Sequence, residues 1–109
     1  MGNLEKEIET LKYHNQLLLN IIKNPKASLD FLYVEKNITL AEAKRVKQIC
    51  EELNKRYQIE KAEGYMNFQP LLGQLKRELN PKLSLKEFME ACMTQGEFIS
   101  LMSALSKSQ

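Results

Sequence analysis

The chain has 109 residues and a mass of 12.7 kDa, the size of one ordinary domain with a single core. Apolar residues make up 43% and charged residues 28%, which excludes a disordered tail, and 16 Lys and Arg against 14 Asp and Glu is too even a balance to mark a nucleic-acid binder by itself. Four Gly, three Pro and no Trp disfavour a turn-rich sheet protein and favour helices.

The chain opens Met1-Gly2-Asn3-Leu4-Glu5-Lys6-Glu7, charged where a secretory signal needs its apolar core, and no later run is long and apolar enough to cross a membrane. A cytoplasmic protein is expected. Cys50 and Cys92 lie inside apolar stretches, far in sequence from the single His14. Without a set of about four ligands at metal-binding spacing, they read as buried free thiols, and no metal or other cofactor is expected.

From Leu4 to Ile22 the positions Leu4, Ile8, Leu11, Leu18 and Ile22 follow a three-four heptad seam, with Asn15 in its one gap. This predicts a long first helix ended by Asn24-Pro25. Leu17, Leu19 and Ile21 make its second half apolar on most sides, as expected of a helix packed between several others, including helices of another subunit. Asn15 admits two readings: a register device paired with a copy of itself, or an amide that faces water or bonds within the subunit.

Ser28 is placed to cap a short helix of about two turns that buries Leu29, Leu32 and, at its margin, Phe31. Thr39-Leu40-Ala41-Glu42 has capping-box spacing and opens a long helix with an apolar stripe through Leu40, Ala43, Val46, Ile49, Cys50, Leu53 and Tyr57, stopped by Gly64. A fourth helix is predicted from about Gln69 to Leu79, with Asn67 as its cap, Pro70 in its first turn and Asn80-Pro81 as its terminator. Ser84-Leu85-Lys86-Glu87 repeats the capping signature before a fifth helix closed by Gly96, and a last helix follows from about Glu97 to Leu105. The whole predicts an all-α fold: one domain over residues 1–109, a bundle of about five or six helices, with residues 1–2 and 106–109 frayed.

Several stretches resemble the YhaI-like family of small helical proteins from Bacillus and its relatives. They are Leu11 and Leu17-Leu18 in the first helix, Ile49-Cys50-Glu51-Glu52-Leu53, and Lys61-Ala62-Glu63-Gly64-Tyr65 with Phe68 and Leu71-Leu72. Leu79-Asn80-Pro81-Lys82-Leu83, Gln95-Gly96 and Leu101-Met102 complete the set. The resemblance implies an all-helical fold, a bacterial cytoplasmic setting and self-association, and it carries no activity onto particular residues.

No catalytic constellation is visible. His14 has no orienting carboxylate or nucleophile at a suitable spacing, Thr39 and Ser84 read as caps, and there is neither a glycine-rich phosphate loop nor a nucleophile elbow. The favoured function is a non-enzymatic interaction or regulatory module. It assembles as a homo-oligomer, a dimer or trimer, through Leu4, Ile8, Leu11, Asn15, Leu18 and Ile22, and presents Phe98, Ile99, Met102 and Leu105 to another cytoplasmic protein. The alternative is a DNA- or RNA-binding regulator using the helix pair around Gly96 or the basic positions Lys44, Arg45, Lys47, Lys55, Arg56 and Lys61. Against it, residues 97–105 carry no Arg, Lys, Asn or Gln to read base edges, and Glu51, Glu52 and Glu60 interrupt the basic stripe.

Overall fold

The structure, a computed structural model, describes residues 2–108, leaving Met1 and Gln109 of the expected frayed ends outside the described residues. These residues form six helices and no strand: α1 (Gly2–Lys23), α2 (Ser28–Glu35), α3 (Leu40–Ala62), α4 (Gln69–Glu78), α5 (Leu85–Gln95) and α6 (Ile99–Lys107). The last helix begins and ends two residues later than the spacing predicts.

One hydrophobic cluster joins α2 to α6. Ile49 and Leu53 from α3, Leu71 and Leu75 from α4, Phe88 and Met89 from α5, and Leu101, Met102 and Leu105 from α6 meet in its centre. The α3 stripe read from the sequence supplies its longest row. α1 stands apart: none of its described residues is buried, and it packs mainly along α2 with a lesser contact to α3. A helix of this length spans about 33 Å. The molecule extends 50 Å along its longest axis with a radius of gyration of 15.1 Å, against about 13 Å for a compact chain of this size.

The α3 capping box forms as expected: Glu42 N–H donates to Thr39 Oγ1 at 3.1 Å and Thr39 N–H to Glu42 Oε1 at 3.0 Å. Gly64 and Gly96, both at positive φ, close α3 and α5 with paired bonds. Tyr65 N–H reaches Glu60 O and Gly64 N–H reaches Lys61 O; Glu97 N–H reaches Cys92 O and Gly96 N–H reaches Met93 O. Asn37 does the same for α2 at φ 55°, directing the fully buried Ile38 into the core.

Three local expectations change. Ser28 does not cap α2; it is the first helical residue, and the amides of Leu29 and Asp30 donate instead to Gln95 Oε1 at 2.8 and 3.0 Å. Phe31 is exposed, because α5 covers the face of α2 that carries Leu32 and Asp30 and leaves Phe31 outside it. Asn67 accepts from Gln69 N–H at 3.1 Å in a turn one residue ahead of the cap position, which Phe68 occupies.

Gln95 also donates from Nε2 to Asp30 Oδ1 at 2.9 Å, while Asn20 Nδ2 of α1 donates to Asp30 Oδ2. Asp30 is the one buried charged side chain among the described residues, and its two oxygens tie α1, α2 and α5 together. Removing a donor from a buried carboxylate and an acceptor from two helix-end amides costs roughly 2 kcal/mol. Gln95→Ala is therefore expected to lower stability by about that amount in urea unfolding, while Phe31→Ala, on the exposed side of the same helix, changes it by less than about 0.5 kcal/mol.

Glu42 forms a second hub. Beyond the capping box it accepts from Asn80 Nδ2 at 2.9 Å and Lys82 Nζ at 2.8 Å, tying the α4–α5 connection to the start of α3. Burial opposes ionisation of Glu42, yet the bonds from Lys82, the Thr39 backbone and Asn80, with the Lys82 charge, outweigh it and hold the carboxyl at about 2 rather than the ordinary 4.5. A depressed folded pKa adds stability above the unfolded pKa. The stability difference between the protein and Glu42→Gln is expected at neutral pH and should shrink as pH falls from about 4.5 to about 2, followed by urea titrations across that range.

Candidate functional site

The seam of α1 lies open. Leu4, Ile8, Leu11, Leu18 and Ile22 are 43% to 79% exposed, and Asn15 between them is exposed as well. Helical spacing explains why the body does not cover them. The half-buried side chains of α1 are Thr10, Tyr13, His14, Leu17 and Ile21, centred roughly 120° around the helix from the seam. His14 anchors this inner face by a bond from Nε2 to the Ile38 carbonyl at 2.8 Å; because a carbonyl only accepts, Nε2 carries the proton. Asn20 and Leu17 continue the contact toward α2 and the core edge. Leu19 joins the outer surface, 59% exposed.

The second predicted surface divides. Met102 and Leu105 are fully buried, a correction to their expected place on a partner surface: α6 is wedged against α3, α4 and α5 and turns both into the core. Phe98 is half-buried and packs on that core, held at φ 51° as the residue preceding α6, a left-handed conformation unusual for a bulky side chain. Ile99 alone remains outside. It borders an open groove of about 710 Å³ with Tyr65, Met66, Phe68, Lys61 and Lys107, in which Met66 is 89% exposed. The floor is fixed by an edge-to-face contact of Tyr57 and Phe68 with centroids 5.0 Å apart, and by Lys61 Nζ 5.7 Å from the Tyr57 ring centre. Sequence reading placed Tyr57 on the apolar stripe of α3 but gave no sign of this groove, because Tyr65 and Met66 sit in a connection without periodicity.

A smaller cavity of about 260 Å³ lies between α1, α2, α3 and α5, with Asp30, Tyr33, Cys50, Cys92 and Gln95 in its wall. The Asp30 carboxylate and the Gln95 amide are already engaged with each other. No buried side-chain nitrogen or oxygen among the described residues lacks a partner, and the charged side chains that also line the cavity, Lys44, Lys47 and Glu97, are exposed. Burial pushes the Cys50 thiol up to about 12, helped by the Glu51 charge. Cys92 is raised by burial first, then by Cys50 and Glu97. The Tyr33 hydroxyl is raised chiefly by burial as well. These groups stay protonated and are poor nucleophiles at neutral pH.

The basic face of α3 is electrically mixed. Arg45 pairs with Glu78 at 3.3 Å and Arg56 with Glu60 at 3.9 Å, and Arg56 also donates to Gln74. Glu51 and Glu52 are exposed among the same cations. No group of three or more His, Cys, Asp or Glu able to hold a metal ion occurs among the described residues.

The thiol chemistry is directly measurable. In the folded protein a colorimetric thiol reagent at mildly alkaline pH is expected to modify neither Cys50 nor Cys92, and both should titrate once guanidinium unfolds the chain. Rapid reaction of either in the native state would refute the inert assignment.

Residues 1–108 match the family described as protein of unknown function (DUF1878), and because the match spans all but the last residue, the chain belongs to that family.

Proposed function

We propose that the chain is a non-catalytic helical interaction module of the bacterial cytoplasm that self-associates, as a dimer or trimer, through the outer seam of α1. The observation that carries this reading is the row of five large apolar side chains at heptad spacing, all substantially exposed, on a helix none of whose described residues is fully buried in its own subunit. A contiguous apolar surface of this kind stays in water only at a cost, and such surfaces mark protein contacts. The resemblance to YhaI-like proteins supports the bacterial setting and the self-association. Among the described residues no helix is long and apolar enough to cross a membrane.

An active site is disfavoured by chemistry: the one imidazole is spent on the Ile38 carbonyl, the buried carboxylate on two amides, and the thiols are held protonated. The acidic side chains interleaved on α3 put nucleic-acid binding second. The groove beside Ile99, flanked by Lys61 and Lys107, suits a further protein partner that brings an apolar segment with acidic neighbours.

Sedimentation equilibrium tests the reading. The protein is expected to show a concentration-dependent mass above that of one chain, and Leu11→Glu, which places a charge in the seam, should weaken association by more than about a hundredfold. Because Leu11 is exposed in the single chain, the variant should keep the unfolding transition of the body. A protein that remains a single chain up to millimolar concentration would overturn the proposal.

A further inference from the structure

The cavity between α1, α2, α3 and α5 holds a charge that its own hydrogen bonds leave without a counterpart. Asp30 stands in its wall and is only 9% exposed. Its carboxylate accepts one bond at each oxygen, from Asn20 Nδ2 and from Gln95 Nε2, and both donors are neutral amides. The ion pairs among the described residues join Arg45 to Glu78, Arg56 to Glu60 and Lys82 to Glu42, so no side-chain cation is paired with Asp30. An ionised carboxylate has about four acceptor positions, and the two amides use half of them. A buried charge met only by neutral donors is costly, and a cation that reaches it forms a charge-assisted bond.

The rest of the wall suits the same guest. Tyr13, Tyr33, Phe88 and Phe98 bring four aromatic rings to this one cavity, and aromatic faces attract cations. Phe98 takes its place there at φ 51°, a conformation that costs a bulky residue free energy and that recurs where function demands it. The Tyr13 hydroxyl is pushed up by burial and then by the Asp30 charge. Burial leads for Tyr33, with Asp30 among the lesser causes, so both rings lie within the field of that carboxylate. We propose that the cavity binds a small organic cation, an amine whose ammonium group is held by Asp30 and whose apolar body lies among Tyr13, Tyr33, Phe88 and Phe98.

Volume and rim narrow the class of amine. The cavity measures about 260 Å³, at the lower end of ligand pockets, which begin at about 300 Å³, so the guest is a molecule of one ring or a short chain. Lys44 and Lys47, with Glu97, are its exposed charged neighbours. Two lysines against one glutamate oppose a basic peptide, which makes the guest a free amine of single charge rather than a lysine side chain of another protein. Because they stand in solvent, their repulsion of one ammonium is screened. An anion drawn to the same lysines would meet Asp30 inside. The site is separate from the outer seam of α1, and it gives the module a ligand without giving it a reaction.

Calorimetric titration of the full chain with probes of similar shape and different charge tests the assignment: 2-phenylethylamine, protonated at neutral pH like a lysine side chain, the neutral 2-phenylethanol and the anionic 3-phenylpropionate. The amine is expected to bind about tenfold or more tighter than the alcohol, the worth of a charge-assisted bond, and the anion to bind weakest. An alcohol as tight as the amine, an anion tighter than either, or no binding of millimolar amine would each overturn the proposal. Variants then locate the site. Ala43→Phe, which fills the cavity from α3, is expected to weaken amine binding by about tenfold or more while the body keeps its unfolding transition. Asp30→Asn should weaken the amine by a similar factor and leave the alcohol within about twofold, a loss selective for charge that a merely structural role would not produce. Amine binding unchanged in Ala43→Phe would put the amine outside this cavity and overturn the assignment, whether or not Asp30→Asn folds.

Discussion

A carboxylate out of water must be answered by donors, and this fold answers Asp30 with two amides from distant parts of the chain. Asn20 reaches it from α1 and Gln95 from α5. Gln95 at the same time supplies the acceptor that the first amides of α2 lack. Three helices are thereby held in one relation by groups that would each be costly to leave unpaired. The placement of α1 depends on it most, because that helix buries no residue of its own; it is fixed by Asn20 at one point, His14 at another, and half-buried Tyr13, Leu17 and Ile21 between them.

The consequence is a division of labour along the chain. From α2 onward, most of the large apolar side chains turn inward, and the hydrogen-bonding hubs at Glu42 and Asp30 brace the connections around them. α1 attaches through His14 and Asn20 with half-buried Tyr13, Leu17 and Ile21, and its best-spaced apolar row lies on the outside. A helix optimised only for its own subunit would place Leu11 and Leu18 against the body and Tyr13 and His14 in water; the observed orientation is the reverse. That inversion is the observation behind the role proposed for the seam.

What the sequence revealed was local. The Thr39 box, the glycine stops at Gly64 and Gly96 and the α3 core stripe are encoded within a few residues of where they act, and all were legible. Gln95 was not, because a cap contributed from 65 residues away leaves no spacing signal. Asn80 was legible only as a terminator, while its side chain joins Lys82 on Glu42. α6 shows the other limit: Phe98, Ile99, Met102 and Leu105 form too wide an apolar surface for periodicity to separate core from exterior, and only the positions of α3, α4 and α5 decide that Met102 goes inward and Ile99 outward. For α1 the seam was visible, but which face the body would take depended on the bonds of His14 and Asn20.

The weak anchoring of α1 has a bearing on the life of the protein in a cell. Residues 2 to 9 are all exposed, and an unsupported helix of that length is marginal in water. In a lone subunit this arm opens at little cost, exposing Leu4 and Ile8 on extended backbone of the sort that proteases grip, while the body stays folded. In the proposed assembly the same residues are covered. Cleavage of the first helix by an added protease would then report how much of the seam is covered, with the body as an internal reference that stays intact.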